Sequence, residues 1–490
     1  LKIENGKDRS VFLIDAGLIQ CRFRESLVRN LAILEKLKPS SVNGIILTHL
    51  HIDHCGRIPL LVKNGFSGRI YCTKPTAKIL PIMLEDNAKI QLSEAAHRNK
   101  KSVGCEPEKL SRSSLWGGNY DRSRKKIKLK RRENPLKEPL YTLEHVQQTY
   151  PLIKNGGFEY KEWIRLAKGV ELKFYSPGHV LGGAICVFKI AKRNGFLYLG
   201  FSGDLGRDDG VILPPPQVVE EPLDHWFTES TYGGRIHPPR AEEIALLQQL
   251  VKEAVEEKRT IIIPSFALER TQEIIYLVSQ AIDKGLIPKI PIYLDSPMSA
   301  KITQAFSGYW RSPGLFKGQE ELSFNPFCPE ENKLLHLIIN SADSVALMSA
   351  PFPKIVVSSS GMCEAGRVRG HLRAWLRREN ATVCLVGYMV EGSLGWKLKQ
   401  KWPIVRMNNE EIVVKAKIVA FEGFSAHADS PFLVAYAGLI ADKNSPNFKS
   451  VFELHGEKKG ALDLKVELME KLGISGDRII IPREGDVYYL

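Results

Sequence analysis

No part of the 490 residues runs apolar for the ~18 residues needed to cross a bilayer, and no basic-then-apolar leader opens the chain. Membrane helices and a secretory signal are therefore not indicated. Cysteine is present but unpatterned: Cys21, Cys55, Cys72, Cys105, Cys186, Cys328, Cys363 and Cys384 include no Cys-x-x-Cys pair. Several lie in apolar runs such as AICVFKI and TVCLVGY. That excludes a disulfide frame or a cysteine-type zinc finger and fits reduced thiols in a cytoplasmic compartment. No repeat of fixed period is evident. Acidic charge is outweighed, with 55 Asp and Glu against 69 Lys and Arg and a net charge of +14. Hydrophobic residues at 43% and charged residues at 25% describe a folded chain, and the length suits two to four domains.

The positive surplus is local. Residues 98–134 hold thirteen Lys and Arg against four Asp and Glu, densest in RSRKKIKLKRR from Arg122 to Arg132. Nine of the fourteen excess charges sit there. Such a segment reads as a solvated insertion or as an arm for an anionic partner, nucleic acid above all.

Elsewhere short Val-, Ile- and Phe-rich runs alternate with amphipathic stretches. GIILT (44–48), GRIYCT (68–73), VELKFYS (170–176), AICVFKI (184–190), FLYLGFSGD (196–204), TIIIPSF, IPIYLDS, KIVVSSS and TVCLVGY read as strands. Residues 241–258 and 267–284 carry apolar positions three and four apart, as helices do. This alternation means layered α/β structure. The proline-rich LPPPQ (213–217) reads as a boundary region.

The strongest chemical signal is THLHIDHCG, which places His49, His51, Asp53 and His54 directly after the strand GIILT. Imidazoles at i and i+2 of an extended segment share one side, and the Asp and His that follow can turn back to the same point. Imidazole with carboxylate suits a borderline divalent ion, zinc above all. His179 in SPGHVLGG and Asp204 in FSGDLGR are, taken singly, ordinary turn residues.

Taken together, the pattern resembles the metallo-β-lactamase superfamily. Asp15 in LIDAG, the His49–His54 block, His179 and Asp204 match its successive motifs in order. Glu229 in FTESTYGG, His427 in FSAHAD and His455 in ELHGE match three further motifs of the β-CASP branch, which includes the cleavage-and-polyadenylation endonuclease and ribonuclease J. PSFALERTQE, LDSPMSA, SSSGMCEAGR and GYMVEGSLG are similar to segments of the polyadenylation-type relatives.

The resemblance implies a four-layer αββα metallo-β-lactamase fold with an inserted α/β β-CASP domain. Residues 1–231 and 406–490 would form the first domain and 232–405 the second, with the active site in the cleft between them. It implies two Zn²⁺ ions, Mn²⁺ being the alternative. His49, His51 and His179 would hold one, Asp53, His54 and His455 the other, and Asp204 would bridge them. Asp15 would orient a ligand histidine. His427, held by Glu229, would protonate the leaving oxygen. Arg270 in ALERTQE matches a phosphate-contacting position, an ion pair with Glu269 or Glu273 being the plainer reading. Ser359 and Ser360 form a turn that would cradle a phosphate. Phe266, Tyr232 and Tyr388 would stack bases or, more simply, pack in the core.

The histidine at 455 favours RNA over DNA as the partner, single-stranded RNA in particular. The wording of FSAHAD and YMVEGSLG favours an endoribonuclease that leaves 5′-phosphate and 3′-hydroxyl ends. A 5′–3′ exoribonuclease of the ribonuclease J kind and a non-catalytic RNA-binding scaffold are the alternatives. A homodimer or an RNA-processing complex is the assembly considered. Little chain precedes the strand ending at Asp15, so a missing strand is expected ahead of it.

Overall fold

Runs of β-branched and aromatic residues become strands where both their faces can be buried. The computed structural model describes residues 1–5, 8–19, 23–102, 138–350, 353–408, 410–444 and 448–490. Four strands form a first sheet in the order Lys2–Asn5, Asp8–Ile14, Gly44–Ile46, Arg69–Tyr71. Lys2–Asn5 pairs antiparallel with Asp8–Ile14, so a strand does precede the one that leads to Asp15. A second sheet has seven strands: Ile479–Ile480, Ser450–Leu454, His225–Glu229, Gly195–Phe201, Ile185–Lys192, Val170–Tyr175 and Ile164–Ala167.

The two sheets pack face to face. Ile3, Phe12, Ile46 and Tyr71 of the first meet Leu172, Phe174, Phe188 and Leu199 of the second. Helices Ser430–Asn444 and Lys458–Leu472 cover the outer face of the seven-stranded sheet, burying Leu433, Tyr436, Leu464 and Leu468 against Val187, Trp226 and Val451. Helices Ile58–Lys63 and Lys74–Ser102 cover the other outer face through Leu60, Leu61, Ile79 and Leu84 against Ile45 and Ile70. Helix, sheet, sheet and helix make the four layers the motifs implied. No described helix is long and apolar enough to cross a membrane.

The inserted domain is built on six parallel strands in the order Leu335–Leu337, Ile292–Leu294, Lys354–Ser358, Thr260–Pro264, Ala381–Leu385, Lys417–Ala420. Thr260–Pro264 is buried at all five positions. Ile261 and Ile263 enter one core cluster and Ile262 the other, which is why the strand reads as an unbroken apolar run. The helices expected at 241–258 and 267–284 are Arg240–Glu256 and Arg270–Asp283.

Two readings are refined by the structure, and a third falls outside the described residues. The strand Lys417–Ala420 pairs with Ala381–Leu385, so the second sheet extends beyond the boundary placed at residue 405. The prolines of LPPPQ pack against Gly178 inside the first domain, where a Cβ on that glycine would stand 2.6 Å from the Pro214 carbonyl oxygen. They mark no boundary. The basic tract expected at 98–134 lies, from residue 103 on, outside the described residues.

Candidate metal centre

The chemical residues sit where strands end. Asp15 follows Asp8–Ile14, and the His49–His54 block follows Gly44–Ile46. On the seven-stranded sheet, His179, Asp204, Glu229 and His455 follow or end four strands that all finish on one side of the sandwich. Two glycines let these loops touch. A Cβ on Gly17 would fall 1.3 Å from the Asp53 carbonyl oxygen, and one on Gly206 would fall 2.0 Å from that of Gly178. The Asp15 loop therefore lies directly on the metal motif, and the Asp204 loop on that of His179.

The side chains converge as two groups. In the first, His49 Nε2 stands 3.0 Å from His51 Nδ1, and His179 Nε2 stands 3.4 Å from the same atom. Asp204 Oδ2 faces His49 Nε2 at 3.3 Å and His179 Nε2 at 3.6 Å. In the second, His455 Nε2 lies 3.2 Å from His54 Nε2 and 3.4 Å from Asp53 Oδ2. The other oxygen of Asp204, Oδ1, faces His54 Nε2 at 3.4 Å and His455 Nδ1 at 3.3 Å. One carboxylate thus offers an oxygen to each group.

These donors fit divalent cations. Asp204 is 2% exposed, and its Oδ1 is buried without a hydrogen bond, which is costly unless a cation takes it. The Asp15 carboxylate receives hydrogen bonds from Thr48 N and Thr48 Oγ1 and sits 2.7 Å from His54 Nδ1. With its Nδ1 proton held by Asp15, His54 would offer Nε2 to a cation in the second group. Burial, and then neighbouring imidazoles, drive His49 and His179 down and His51 to about 3, so all three are neutral and able to ligate. For His54 burial acts downward too, but Asp204 and Asp15 outweigh it and raise the imidazole to about 10. A cation in the second group would replace that second proton.

His427 is arranged differently. Its Nδ1 lies 3.0 and 3.2 Å from the two oxygens of Glu229, and its Nε2 is 3.9 Å from Asp204 Oδ2. Glu229 also accepts the Leu205 N–H at 2.6 Å, so its carboxylate is already engaged by protein donors. Burial would lower the His427 imidazole, but the charge and hydrogen bond of Glu229, with Asp204 and Asp53, hold it up at about 9. One of its nitrogens is tethered to Glu229 and the other faces the two groups of donors. Thr231, to which the sequence drew no attention, donates to the His455 carbonyl at 2.9 Å and holds that residue's loop. A threonine two residues after Glu229 was the available signal.

Arg270 is placed otherwise than expected. It is 6% exposed and its guanidinium contacts Glu273 one turn along the same helix, so the plainer ion-pair reading describes it. Burial, with the charge of Arg240, lowers it to about 9. Ser359 hydrogen-bonds Ser299 Oγ at 2.9 Å and Ser360 donates to the Ala365 carbonyl at 3.3 Å, so both hydroxyls of that turn have protein partners. Core packing does not describe two of the aromatics: Phe266 is 38% exposed and Tyr388 56%. Tyr232 instead packs on His237 with ring centroids 4.3 Å apart.

Comparison with known proteins places three families of segment along the chain in order. Residues 3–127 match the metallo-β-lactamase superfamily, 271–398 the Beta-Casp domain, and 411–482 the Zn-dependent metallo-hydrolase RNA specificity domain. A ribonuclease of Thermus thermophilus is 29% identical over 479 residues, 97% of this chain and 93% of its own. Transcription termination factor FttA of Methanosarcina mazei is 26% identical over 95% of this chain, which spans only 66% of that protein. An RNase J-like protein of Methanocaldococcus jannaschii is 26% identical, covering 90% of this chain and 88% of its own.

Proposed function

For a chain that belongs to the β-CASP branch of the metallo-β-lactamase superfamily, we propose zinc-dependent hydrolysis of RNA phosphodiester bonds at internal sites. The observation that carries this reading is the tethered imidazole of His427 beside two groups of donors, each faced by one oxygen of Asp204. The segment matched as an RNA specificity domain contains both His427 and His455, and relatives named as ribonucleases match 90% or more of the chain.

His49, His51 and His179 would hold one ion, and Asp53, His54 and His455 the other, with Asp204 between. Bound there, two such ions would lower the pKa of a water and take up charge on a phosphoryl oxygen. Histidine-rich ligation selects zinc over magnesium, with manganese the nearest competitor. The remaining work belongs to side chains. Asp15 fixes the tautomer of His54. Glu229 fixes His427 and stabilises its charged form. The attacking water gives one proton to solvent; as its oxygen bonds to phosphorus, the bond from phosphorus to O3′ breaks and its electron pair remains on O3′. That oxygen takes the proton from His427 Nε2, leaving a 3′-hydroxyl on one product and a 5′-phosphate on the other.

The test is metal-dependent cleavage of RNA labelled at either end, with a 5′-blocked RNA and a matched DNA alongside, for wild type and Asp53→Ala. Internal products with 5′-phosphates from the wild type alone support the proposal. Mononucleotides lost from the 5′ end and prevented by the block would make the enzyme an exonuclease. RNA bound but left intact by the zinc-loaded protein would make it a scaffold.

A further inference from the structure

His427 sits on an irregular loop, residues 421–429, whose main chain is held largely by side chains rather than by a neighbouring strand. Glu243 accepts the N–H groups of Glu422 and Gly423, both at 2.8 Å. Arg207 donates to the Gly423 carbonyl at 2.8 Å and Arg240 to that of Ser425 at 3.1 Å. His179 Nδ1 lies 3.3 Å from the Ala426 carbonyl, and His237 Nε2 lies 3.1 Å from the carbonyl of His427 itself.

Two of these donors end one short rod, His237-Pro238-Pro239-Arg240. Each proline fixes its own φ, and Pro239 is extended at φ −56° and ψ 121°, so the spacing between the donors is set before they bind. Both ends are themselves locked. His237 is 8% exposed, packs on Tyr232, and its main-chain N–H reaches Asp429 Oδ2 at 3.3 Å. Arg240 is 6% exposed, contacts Glu273, and has Nε 3.4 Å from Asp209 Oδ1. Burial, and then the charge of Arg207, lowers His237 to about 4, so its imidazole is neutral and Nε2–H is the donor that the His427 carbonyl requires.

We propose that His237 and Arg240 are positioning residues for His427: the proline-stiffened rod grips the carbonyls of Ser425 and His427 and fixes where His427 Nε2 delivers its proton. The inference rests on the reading of His427 as the general acid. Arg240 also joins the rod to the helix Arg270–Asp283 through Glu273, so the inserted domain has a grip on the acid in the first. A reacting group misplaced by an ångström loses on the order of 10²-fold in rate.

The test uses the full-length, zinc-loaded protein and an RNA with one cleavable linkage, made with either oxygen or sulfur at the bridging 3′ position. A thiolate leaves without needing a proton. His237→Phe keeps a ring against Tyr232 and removes the donor, whereas His237→Gln restores an N–H near the place of Nε2. We expect His237→Phe to lower kcat roughly 10- to 100-fold on the oxygen substrate with KM and zinc content unchanged. On the sulfur substrate it should stay within about threefold of wild type, and His237→Gln should recover most of the loss. Unchanged kcat on the oxygen substrate, or equal slowing on both, would overturn the inference. Should His237→Phe melt far below wild type, Arg240→Lys is read in the same way, since it keeps the charge for Glu273 and Asp209 but shortens the reach to Ser425. His427→Ala separates the two ideas. If sulfur does not rescue it, the general-acid reading fails; if sulfur rescues it but not the His237 or Arg240 variants, only the positioning role fails.

Discussion

Asp204 and Asp295 occupy equivalent places in the two domains, each just past the end of a strand, and each is almost wholly buried. Their surroundings differ in kind. Asp295 accepts from His371 Nε2 at 2.6 Å, Ser344 Oγ at 2.5 Å and Arg367 Nη1 at 2.8 Å. Each of those donors carries a proton, so the carboxylate is neutralised and hydrogen-bonded by the protein alone. Asp204 is ringed instead by imidazole nitrogens of His49, His54, His179 and His455, and its Oδ1 accepts no hydrogen bond. A buried carboxylate among permanent donors is scaffold. One among imidazoles, which can exchange a proton for a cation, is half of a cation site. Glu453 supplies a third case: it is 2% exposed, both of its oxygens lack a hydrogen bond, and burial pushes it up to about 8. Its solution is to keep its proton.

Substituting the two aspartates should separate these roles most sharply. Asp204→Asn is expected to lose bound metal and to cut cleavage by roughly a thousandfold or more while the fold survives. Asp295→Asn should do the reverse, costing about 3–5 kcal/mol in denaturant unfolding and leaving metal per folded chain unaltered. Metal analysis beside unfolding curves decides it, and metal loss in the Asp295 variant would erase the distinction. Next in size, His427→Ala should slow cleavage about 10²–10⁴-fold on an ordinary RNA. An undiminished rate would return His427 to a structural role.

The contrast between aspartates was only half legible in the sequence. His49, His51, Asp53 and His54 lie within six residues, and no common structural need explains that grouping, so the site announced itself. The parallel strands were legible as well, because Thr260–Pro264 and Lys354–Ser358 are buried on both faces and must be apolar throughout. Arg270 was not. A helix-initial arginine reads alike whether it faces a cleft or Glu273, and the choice depends on Arg240, thirty residues away, which shares Glu273. The pairing of Lys417–Ala420 escaped for a similar reason: its sequence does not say which of two sheets it joins. The pairing of His237 with the His427 carbonyl spans 190 residues and leaves only the doubled proline as a trace.

A smaller effect should come from the basic segment. The body of the protein carries little excess charge beyond it, so phosphate affinity at the cleft and at the segment are separable. Removing residues 103–132 should weaken RNA binding and flatten its dependence on salt, with metal content and the cleavage of bound RNA retained. A salt slope equal to that of wild type would mean that the segment does not touch RNA.

A separate, pH-dependent effect concerns Glu453. Its folded-state pKa of about 8 lies above the ordinary value of 4.5, so the stability it contributes is complete below 4.5 and is lost as pH rises toward 8. Glu453→Gln should therefore melt with wild type at pH 4.5 and above it at pH 8. Parallel melting curves at both pH values would show that this carboxyl has a partner after all.

The most direct test of the central claim is the number of divalent ions bound per chain, counted by native mass spectrometry of the zinc-loaded protein. Two ions on the wild type and two on His427→Ala are expected, because the proposed assignment has Asp204 bridge two ligand groups and leaves His427, tethered to Glu229, outside both. A single ion on the wild type, or the loss of one on His427→Ala, would contradict it.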